Sequence, residues 1–300
     1  MSTSEFSETA AAPPVPLPPG RIVELPGRGS TFVREVSGPP GAPTVVLLHG
    51  LGATADLNWF PTFDPLGRRF RVLALDHRGH GRGIRVGARF RLADCADDVA
   101  ALADVVGVDR FIAVGYSMGG PIAQLTWYRH RDRVAGLVLC ATSRNFRGGP
   151  GERVAFSVLP GLAVAAGVTP PGVRRQMMRR FAAARIDDPP ARRWAMRELR
   201  GGDPASLAAA AAALGRFSSH EWIGQVDVPT TVVLTTRDQA VPPQRQQKLA
   251  DAIPGATVHA VEGDHLVCAL GAHRFVPVLV RATVEVATRA GLPTAGAPTA

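Results

Sequence analysis

One short segment constrains the fold of this chain more than any other. VGYSMGG, at residues 114–120, places Ser117 among three glycines directly after the apolar run FIAV. The residues that follow have apolar side chains at helical spacing, so the segment predicts a sharp turn between a buried strand and a helix. At such a turn a side chain at position 115 or 119 would collide with the neighbouring strands or the helix, which glycine avoids. We therefore expect the serine hydroxyl to project above the edge of a sheet.

Short β-rich runs alternate with longer helical stretches along most of the chain. Continuous apolar runs that end in polar residues and glycine occur at 44–50 and 69–79, and PTTVVLTTRD at 229–238 repeats the pattern. This alternation is typical of an α/β fold with a mostly parallel sheet covered by helices on both faces.

The connection between the strand that ends near Thr142 and the strand that begins near Thr230 is unusually long. It spans about 85 residues, far more than an ordinary α/β connection. Three segments within it open at a proline and continue with good helix formers: PPGVRRQMMRRFAAAR, PPARRWAMRELR and DPASLAAAAAALGRF. The segments predict a helical lid.

Composition and pattern together divide the chain into segments. We predict a flexible arm at 1–20, an α/β core at 21–142 and 229–290, a helical lid at 143–228 and a flexible tail at 291–300. The two ends combine proline with small residues and lack a periodic apolar face. The 46% hydrophobic content is enough for a sizeable core, so a single domain with an insertion is expected.

The positive charge of the chain comes almost entirely from arginine. The formal net charge is +9, and Lys248 is the only lysine. Between Arg144 and Asp227 thirteen arginines stand against seven acidic residues, so the predicted lid carries most of the excess. Both a solvated helix surface and an entrance that attracts anionic substrates or lipid headgroups fit this pattern. No nucleic-acid module or aromatic platform accompanies the arginines, which argues against a nucleic-acid partner.

The cysteines and the apolar runs indicate in which cellular compartment the protein is expected. Cys95, Cys140 and Cys268 lack CxxC spacing, which is typical of buried free thiols in a reducing compartment. The first twenty residues have no apolar segment of the secretory type, and the longest apolar run, at 158–168, is too short to cross a bilayer. We expect a cytoplasmic protein without stable membrane insertion.

Because a serine hydroxyl is a weak nucleophile at neutral pH, Ser117 needs a base within hydrogen-bond reach and a carboxylate that orients the base. Asp238 and His265 each follow a predicted strand and so lie at the same sheet edge, in the chain order serine, acid, histidine. Three other aspartates lie on a helix, at the opposite edge or directly beside the histidine: Asp251, Asp227 and Asp264. The other histidines fit the required order and place less well: His49, His77, His80, His130, His220, His259 and His273. We predict a catalytic triad of Ser117, His265 and Asp238.

Acyl transfer also needs two backbone N–H donors for the oxyanion. Met118, the residue after the nucleophile, supplies one of them. The loop HGLG supplies the other at Leu51, where the flanking glycines give the backbone room to turn. Trp59 and Phe60 lie just beyond this loop, and they either line an acyl pocket or belong to the core.

Five segments together resemble the signature segments of the α/β-hydrolase superfamily: HGLG, DHRGHGRG, GYSMGG, RDQAVPP and GDH. The resemblance covers residues from about 32 to 290. It implies an eight-stranded, mostly parallel sheet, a lid between the sixth and seventh strands, and a nucleophile elbow at Ser117. Epoxide hydrolases and dehalogenases of the superfamily carry aspartate at the elbow, so the serine argues against both. The resemblance implies no substrate, since the fold hosts many chemistries.

The sequence thus predicts a cofactor-independent serine hydrolase that acts on carboxylic esters with a small to medium hydrophobic acyl group or a lipid-like structure. A carbon-carbon bond hydrolase, a lactonase or an acyltransferase on the same triad is the alternative, and a non-catalytic ligand receptor is a further one. Motifs typical of metal and nucleotide sites are missing, so neither a metal nor a cofactor is expected. The histidines and aspartate of DHRGHGRG are better explained as turn residues than as metal ligands.

Overall fold

The computed structural model describes residues 12–86, 89–146, 172, 176, 180, 183–199, 201 and 203–293. Within these ranges eight strands form one sheet: β1 Gly20–Leu25, β2 Gly29–Val36, β3 Thr44–Leu48, β4 Arg71–Leu75, β5 Phe111–Tyr116, β6 Val134–Cys140, β7 Thr230–Thr235 and β8 Thr257–Val261. Their spatial order is β1-β2-β4-β3-β5-β6-β7-β8. Strand β2 runs antiparallel to its neighbours β1 and β4, and the pairs from β4 to β8 are parallel. The predicted α/β fold with a mostly parallel eight-stranded sheet is confirmed.

The helices of the described ranges cover both faces of this sheet. They are α1 Ala55–Trp59, α2 Phe63–Gly67, α3 Leu92–Val105, α4 Gly119–Arg129, α5 Pro189–Leu199, α6 Pro204–Arg216, α7 Pro243–Ala250, α8 Val267–Leu270 and α9 Ala272–Arg289. None of these helices is long and apolar enough to cross a membrane.

Strand β3 shows why the central strands are continuous apolar runs. Because side chains alternate between the two faces of a strand, Val46 and Leu48 pack with α3, α4 and α7 on one face. Val45 and Leu47 pack with α1, α2, α8 and α9 on the other face. Both faces are buried, so no polar residue interrupts the run.

The insertion between β6 and β7 is described in part. Helices α5 and α6 correspond to two of the three proline-initiated segments, whereas the first segment, 170–185, lies mostly outside the described residues. Helix α6 begins as its sequence predicts, because Asp203 caps it by accepting the N–H of Ser206, and Pro204 occupies the first turn. Farther along, Ile223 and Val226 pack into the core beside β6.

The ends of the described chain are held against the core more closely than their composition suggests. Residues 1–11 and 294–300 of the predicted arm and tail lie outside the described ranges. Leu17 packs on the α9 face, and the carbonyl of Pro18 accepts a hydrogen bond from Arg34 at 2.6 Å. Because β1 pairs with β2 along its whole length, the residues that lead into it are fixed as well. Leu17 and Pro18, within the segment predicted as an arm, thus contact the core.

Candidate active site

Ser117 lies at the turn between β5 and α4 in a strained backbone conformation. Its φ is +52°, in the left-handed region, which costs a residue with a side chain on the order of 1 kcal/mol. The end of strand β6 and the residues after it compensate for this cost: the N–H of Ser117 donates to the carbonyl of Cys140 at 2.9 Å, and Thr142 Oγ1 donates to the carbonyl of Ser117 at 2.8 Å. The N–H and the carbonyl of Ser117 are thus both held by hydrogen bonds.

The glycines around this serine are required by close backbone contacts. A Cβ atom on Gly115 would lie 2.2 Å from the carbonyl oxygen of Gly119, and one on Gly119 would lie 2.0 Å from that of Leu48. A Cβ atom on Gly120 would lie 2.2 Å from Thr142 Oγ1. Only glycine allows these approaches, which bring the amino end of α4 directly behind the serine. The partial positive charge of that helix end favours an anion at the hydroxyl.

The structure brings together the side chains of Ser117, His265 and Asp238. His265 Nε2 lies 2.9 Å from Ser117 Oγ, and His265 Nδ1 lies 2.7 Å from Asp238 Oδ2. The carboxylate accepts a hydrogen bond from Nδ1–H, which leaves Nε2 free to accept the serine proton. The side chain of Asp238 is fully buried, and that of His265 is 25% exposed. This arrangement can deprotonate the serine hydroxyl.

The buried carboxylate of Asp238 is satisfied by its own loop. Thr235 Oγ1 donates to Oδ2 at 2.8 Å, and the amides of Ala240 and Val241 donate to Oδ1 at 2.9 and 2.8 Å. Hydrogen bonds of this kind offset the cost of burying a charge. The carboxylate is therefore held in one orientation toward His265.

A side chain that the sequence analysis did not single out, Gln246, holds this loop together. Its Oε1 accepts the N–H of Thr235 at 3.0 Å, and its Nε2 donates to the carbonyl of Val241 at 2.7 Å. Gln246 lies on α7, is fully buried, and spans the loop that carries Asp238. Nothing in the polar run PQRQQK distinguishes this glutamine from its exposed neighbours, so its role depends on the tertiary contact alone.

The loop that contains Leu51 lies beside the elbow. A Cβ atom on Gly50 would be 3.3 Å from Ser117 Cβ, and Asn58 Oδ1 accepts the N–H of Gly50 at 3.0 Å. Met118 forms the N-cap of α4. In the described part of the chain neither the N–H of Leu51 nor that of Met118 donates a hydrogen bond. Two backbone donors beside the hydroxyl are thus left for a ligand.

The two aromatic residues beyond this loop take different positions. Trp59 is fully buried in the core, where it packs edge-on against Tyr116 with ring centres 6.1 Å apart. Phe60 packs edge-to-face on Trp194 of α5 at 5.3 Å. The structure places Trp59 in the core and Phe60 between the core and the inserted helices.

Three of the histidines that the sequence analysis set aside form a buried cluster, in which His49 of the HGLG loop meets His77 and His80. The ring of His49 lies 4.4 Å from that of His77 and 5.2 Å from that of His80. His49 donates from Nδ1 to the carbonyl of Gly50 and accepts the N–H of His77 at Nε2, so it is neutral. Burial lowers the pKa of His49 to about 4 and that of His80 to about 3. Among the described residues no group of three His, Cys, Asp or Glu side chains is spaced to hold a metal ion.

A charge network joins β2, α1 and the DHRGHGRG turn. Arg34 binds both carboxylate oxygens of Asp56, at 2.7 and 2.8 Å. Arg82 bridges Asp56 and Asp76 at 3.0 and 3.1 Å. Burial alone would raise the pKa of Asp56, but the hydrogen bond from Arg34 and the charge of Arg82 outweigh it and hold the pKa below its ordinary value. The network fixes the segment that follows the Leu51 loop.

Comparison with known proteins identifies the family. A family model described as alpha/beta hydrolase fold matches residues 43–272. The putative carbamate hydrolase RutD of Rhizobium rhizogenes is 29% identical over 222 residues, which cover 72% of this chain and 83% of that protein. Several other relatives match over less than half of their own length.

Two solved structures share the fold. The enol-lactonase from Burkholderia xenovorans LB400 is 25% identical, with a TM-score of 0.74 over 88% of this chain and 100% of that one. A thermophilic esterase from Thermogutta terrifontis is 22% identical and has the same TM-score over 89% of this chain and 99% of that one. Since the family model covers most of the chain, the chain belongs to the alpha/beta hydrolase family.

Proposed function

We propose that this hydrolase is a cofactor-independent serine esterase in which Ser117, His265 and Asp238 form the catalytic triad. The observation that carries the proposal is the position of the His265 ring, which lies 2.9 Å from Ser117 Oγ and 2.7 Å from Asp238 Oδ2. Both distances fall within hydrogen-bond reach, as a nucleophile, its base and the group that orients the base require.

The reaction follows from this geometry. His265 Nε2 takes the proton of Ser117 as Oγ attacks the ester carbonyl, and Asp238 stabilises the imidazolium that forms. The imidazolium then gives the proton to the leaving alkoxide, which releases the alcohol and leaves an acyl-enzyme. A water molecule, deprotonated by the same imidazole, attacks the acyl group, and the departing serine takes the proton back.

The backbone amides of Leu51 and Met118 complete the proposed site as the oxyanion hole. Met118 follows Ser117 in the chain, and Leu51 follows Gly50, where a Cβ atom would lie 3.3 Å from Ser117 Cβ; neither amide has an acceptor within the described chain. Donors aimed at the developing oxyanion contribute roughly 10²- to 10³-fold each to the rate. The amino end of α4 adds its partial positive charge at the same place.

The choice of an ester rests on the nucleophile and on the relatives. A serine oxygen forms an acyl-enzyme with a carboxylic ester, and the chain has no aspartate at the elbow for epoxide opening. A lactonase is the second candidate, because the protein of this fold from Burkholderia xenovorans is named an enol-lactonase and a lactone is a cyclic ester. The apolar and arginine-rich composition of the inserted segment favours a small-molecule ester with a hydrophobic or lipid-like acyl group.

Ser117→Ala tests the proposal on the purified chain. With a panel of p-nitrophenyl esters and lactones, we expect the variant to lose at least about 10³-fold in kcat/KM, since the nucleophile is removed. A fluorophosphonate probe labels the native protein and not the variant. Ser218→Ala, which changes an exposed serine, serves as the control and keeps both properties. Full esterase activity in Ser117→Ala contradicts the proposal.

A further inference from the structure

Tyr116 is the residue of the elbow motif that the proposed mechanism leaves without a role. It ends β5 directly before Ser117, and its side chain is 2% exposed. By the alternation of a strand, it shares the α9 face with Ile112 and Val114, whereas the serine turns away toward the sheet edge.

The phenol ring of Tyr116 is clamped by aromatic neighbours. Phe275 packs edge-on at 5.6 Å and Trp59 edge-on at 6.1 Å, and the imidazole of His265 lies 5.8 Å away, all between ring centres. Edge-to-face contacts of this kind fix the orientation of a ring. The direction of its hydroxyl group is therefore fixed as well.

That hydroxyl reaches the loop of the proposed base. Tyr116 Oη donates a hydrogen bond to the main-chain carbonyl of His265 at 3.0 Å. Of the other main-chain bonds of the loop, those donated by Leu266 and Val267 go to Asp264. The N–H of Arg237 after β7 donates to the carbonyl of Gly263 at 3.0 Å. The loop follows β8, an edge strand of the sheet, so this bond ties it to the centre of the sheet.

We propose that Tyr116 is a positioning residue of the active site, whose hydroxyl holds the main chain of His265 so that the imidazole stays in line with Ser117 Oγ. One segment of β5 then sets the position of both reacting groups, because the nucleophile is the next residue in the chain. This inference rests on the proposed function. Burial raises the pKa of Tyr116 well above its ordinary value, so the phenol keeps its proton and remains a donor over the working pH range.

The expected fall in rate follows from how strongly proton transfer depends on the distance between the base and the proton. A general base works within about 2.6–3.2 Å of its proton, and displacement by about 1 Å costs up to roughly a hundredfold in rate. Without the hydroxyl, the carbonyl of His265 loses its partner and the loop gains freedom, while the hydrogen bond of the ring to Asp238 remains.

Tyr116→Phe removes only the hydroxyl and keeps the packed ring. We expect kcat toward a p-nitrophenyl ester to fall by about tenfold to a hundredfold with KM unchanged, because the hydroxyl acts on the base and not on the substrate. The rate of fluorophosphonate labelling falls by the same factor. Rates are expressed per active site titrated, so partial unfolding lowers the titre and leaves kcat as it is.

Two control variants separate positioning from stability. Tyr128→Phe changes the second of the two tyrosines, which is 44% exposed and stacks on Trp222 at 4.5 Å. Thr283→Val removes a buried hydroxyl that donates to the carbonyl of Leu279 at 2.8 Å within α9. Both variants should keep the native kcat, although Thr283→Val melts at a lower temperature.

The outcomes distinguish this inference from the function on which it rests. A native kcat and labelling rate in Tyr116→Phe, with Ser117→Ala inactive, overturns the positioning role and leaves the esterase intact. An equally large fall in kcat in Thr283→Val also overturns it, because the loss of any buried hydroxyl would then have the same effect. Full activity in Ser117→Ala removes the proposed function itself.

Discussion

The nucleophile elbow and the contact between helix α5 and the core are held by different kinds of interaction. At the elbow Gly115 and Gly119 touch backbone atoms, such as the carbonyl of Leu48 against Gly119, with no space for a side chain. Helix α5 touches the core through side chains: Trp194 packs on Phe60, and Glu198 Oε2 accepts a hydrogen bond from Thr54 Oγ1 at 2.9 Å. The elbow can change only by a shift of the backbone, whereas single side chains control the α5 contact.

The two regions also differ in their response to protons. Glu198 on α5 and the buried histidines His49, His77 and His80 have pKa values that depart from the ordinary ones. The backbone contacts of the elbow contain no titratable group. Acid should therefore act on these side chains before it disturbs the glycine contacts around Ser117.

The largest effect is expected from breaking the backbone contacts of the elbow. Gly119→Ala places a carbon 2.0 Å from the carbonyl oxygen of Leu48, and neither strand β3 nor helix α4 can yield without loss of packing. We expect a loss of more than about 4 kcal/mol in the free energy of unfolding, and no fluorophosphonate labelling. Chemical denaturation measures the first and a labelling gel the second.

Gly224→Ala is the matched control for this variant. The nearest atom to a Cβ there is the carbonyl oxygen of Ala252 at 3.7 Å, an ordinary contact, and the backbone needs no left-handed conformation. Its free energy of unfolding should stay within about 1 kcal/mol of the native value. Equal losses in the two glycine variants would show that the elbow is no tighter than the rest of the fold.

Acid tests the comparison through the buried histidine cluster. The folded state keeps the pKa of His49 at about 4 and that of His80 at about 3, below the value near 6.5 of an unfolded chain. The unfolded state therefore binds more protons below pH 6.5, and stability falls as the pH drops from about 6.5 toward 4. Between pH 7 and 5 each histidine costs on the order of 2 kcal/mol.

Unfolding titrations at pH 7 and pH 5 measure this loss. His80→Phe should reduce it, because the variant removes one titrating ring and packs beside Phe90, which already contacts that position at 6.0 Å. An equal loss in the native chain and in the variant would mean that other groups cause the acid sensitivity.

The smallest effect is expected at Glu198. Burial raises its pKa, and the hydrogen bond from Thr54 and the charge of Arg82 only partly oppose the rise. The folded state then holds the proton more tightly than the unfolded state. Ionised Glu198 therefore lowers the free energy of unfolding at a pH above its folded pKa, whereas below pH 4.5 it has no such effect. Glu198→Gln keeps an acceptor for Thr54 and should raise the free energy of unfolding at pH 7 by up to about 1 kcal/mol.

Glu198→Ala provides the comparison, since it also removes the acceptor and leaves the Thr54 hydroxyl without its partner. We expect it to be less stable than the glutamine variant at both pH 5 and pH 7. A loss of stability in Glu198→Gln at pH 7 would show that the ion pair with Arg82, 3.9 Å away, outweighs burial.

The residues of the site differ in how well the sequence alone could predict them. Ser117, Asp238 and His265 could be named in advance because each follows a predicted strand, and the carboxyl ends of parallel strands meet at one edge. Gln246 and Asn58 could not, because each is an ordinary polar residue in a helix whose partner lies several residues away around a loop. For the histidine cluster, the sequence predicted only that the histidines of DHRGHGRG lie in a turn.

The sequence by itself determined the α/β fold, the mostly parallel sheet and the turn around Ser117, because hydrophobic periodicity, glycine spacing and the alternation of strands with helices can be read along the chain. The tertiary structure alone decided how Tyr116 meets the loop of His265, 149 residues farther on, and how Glu198 reaches Thr54, 144 residues before it. These contacts depend on how elements pack in space, and no repeating pattern along the chain records a distance between two side chains.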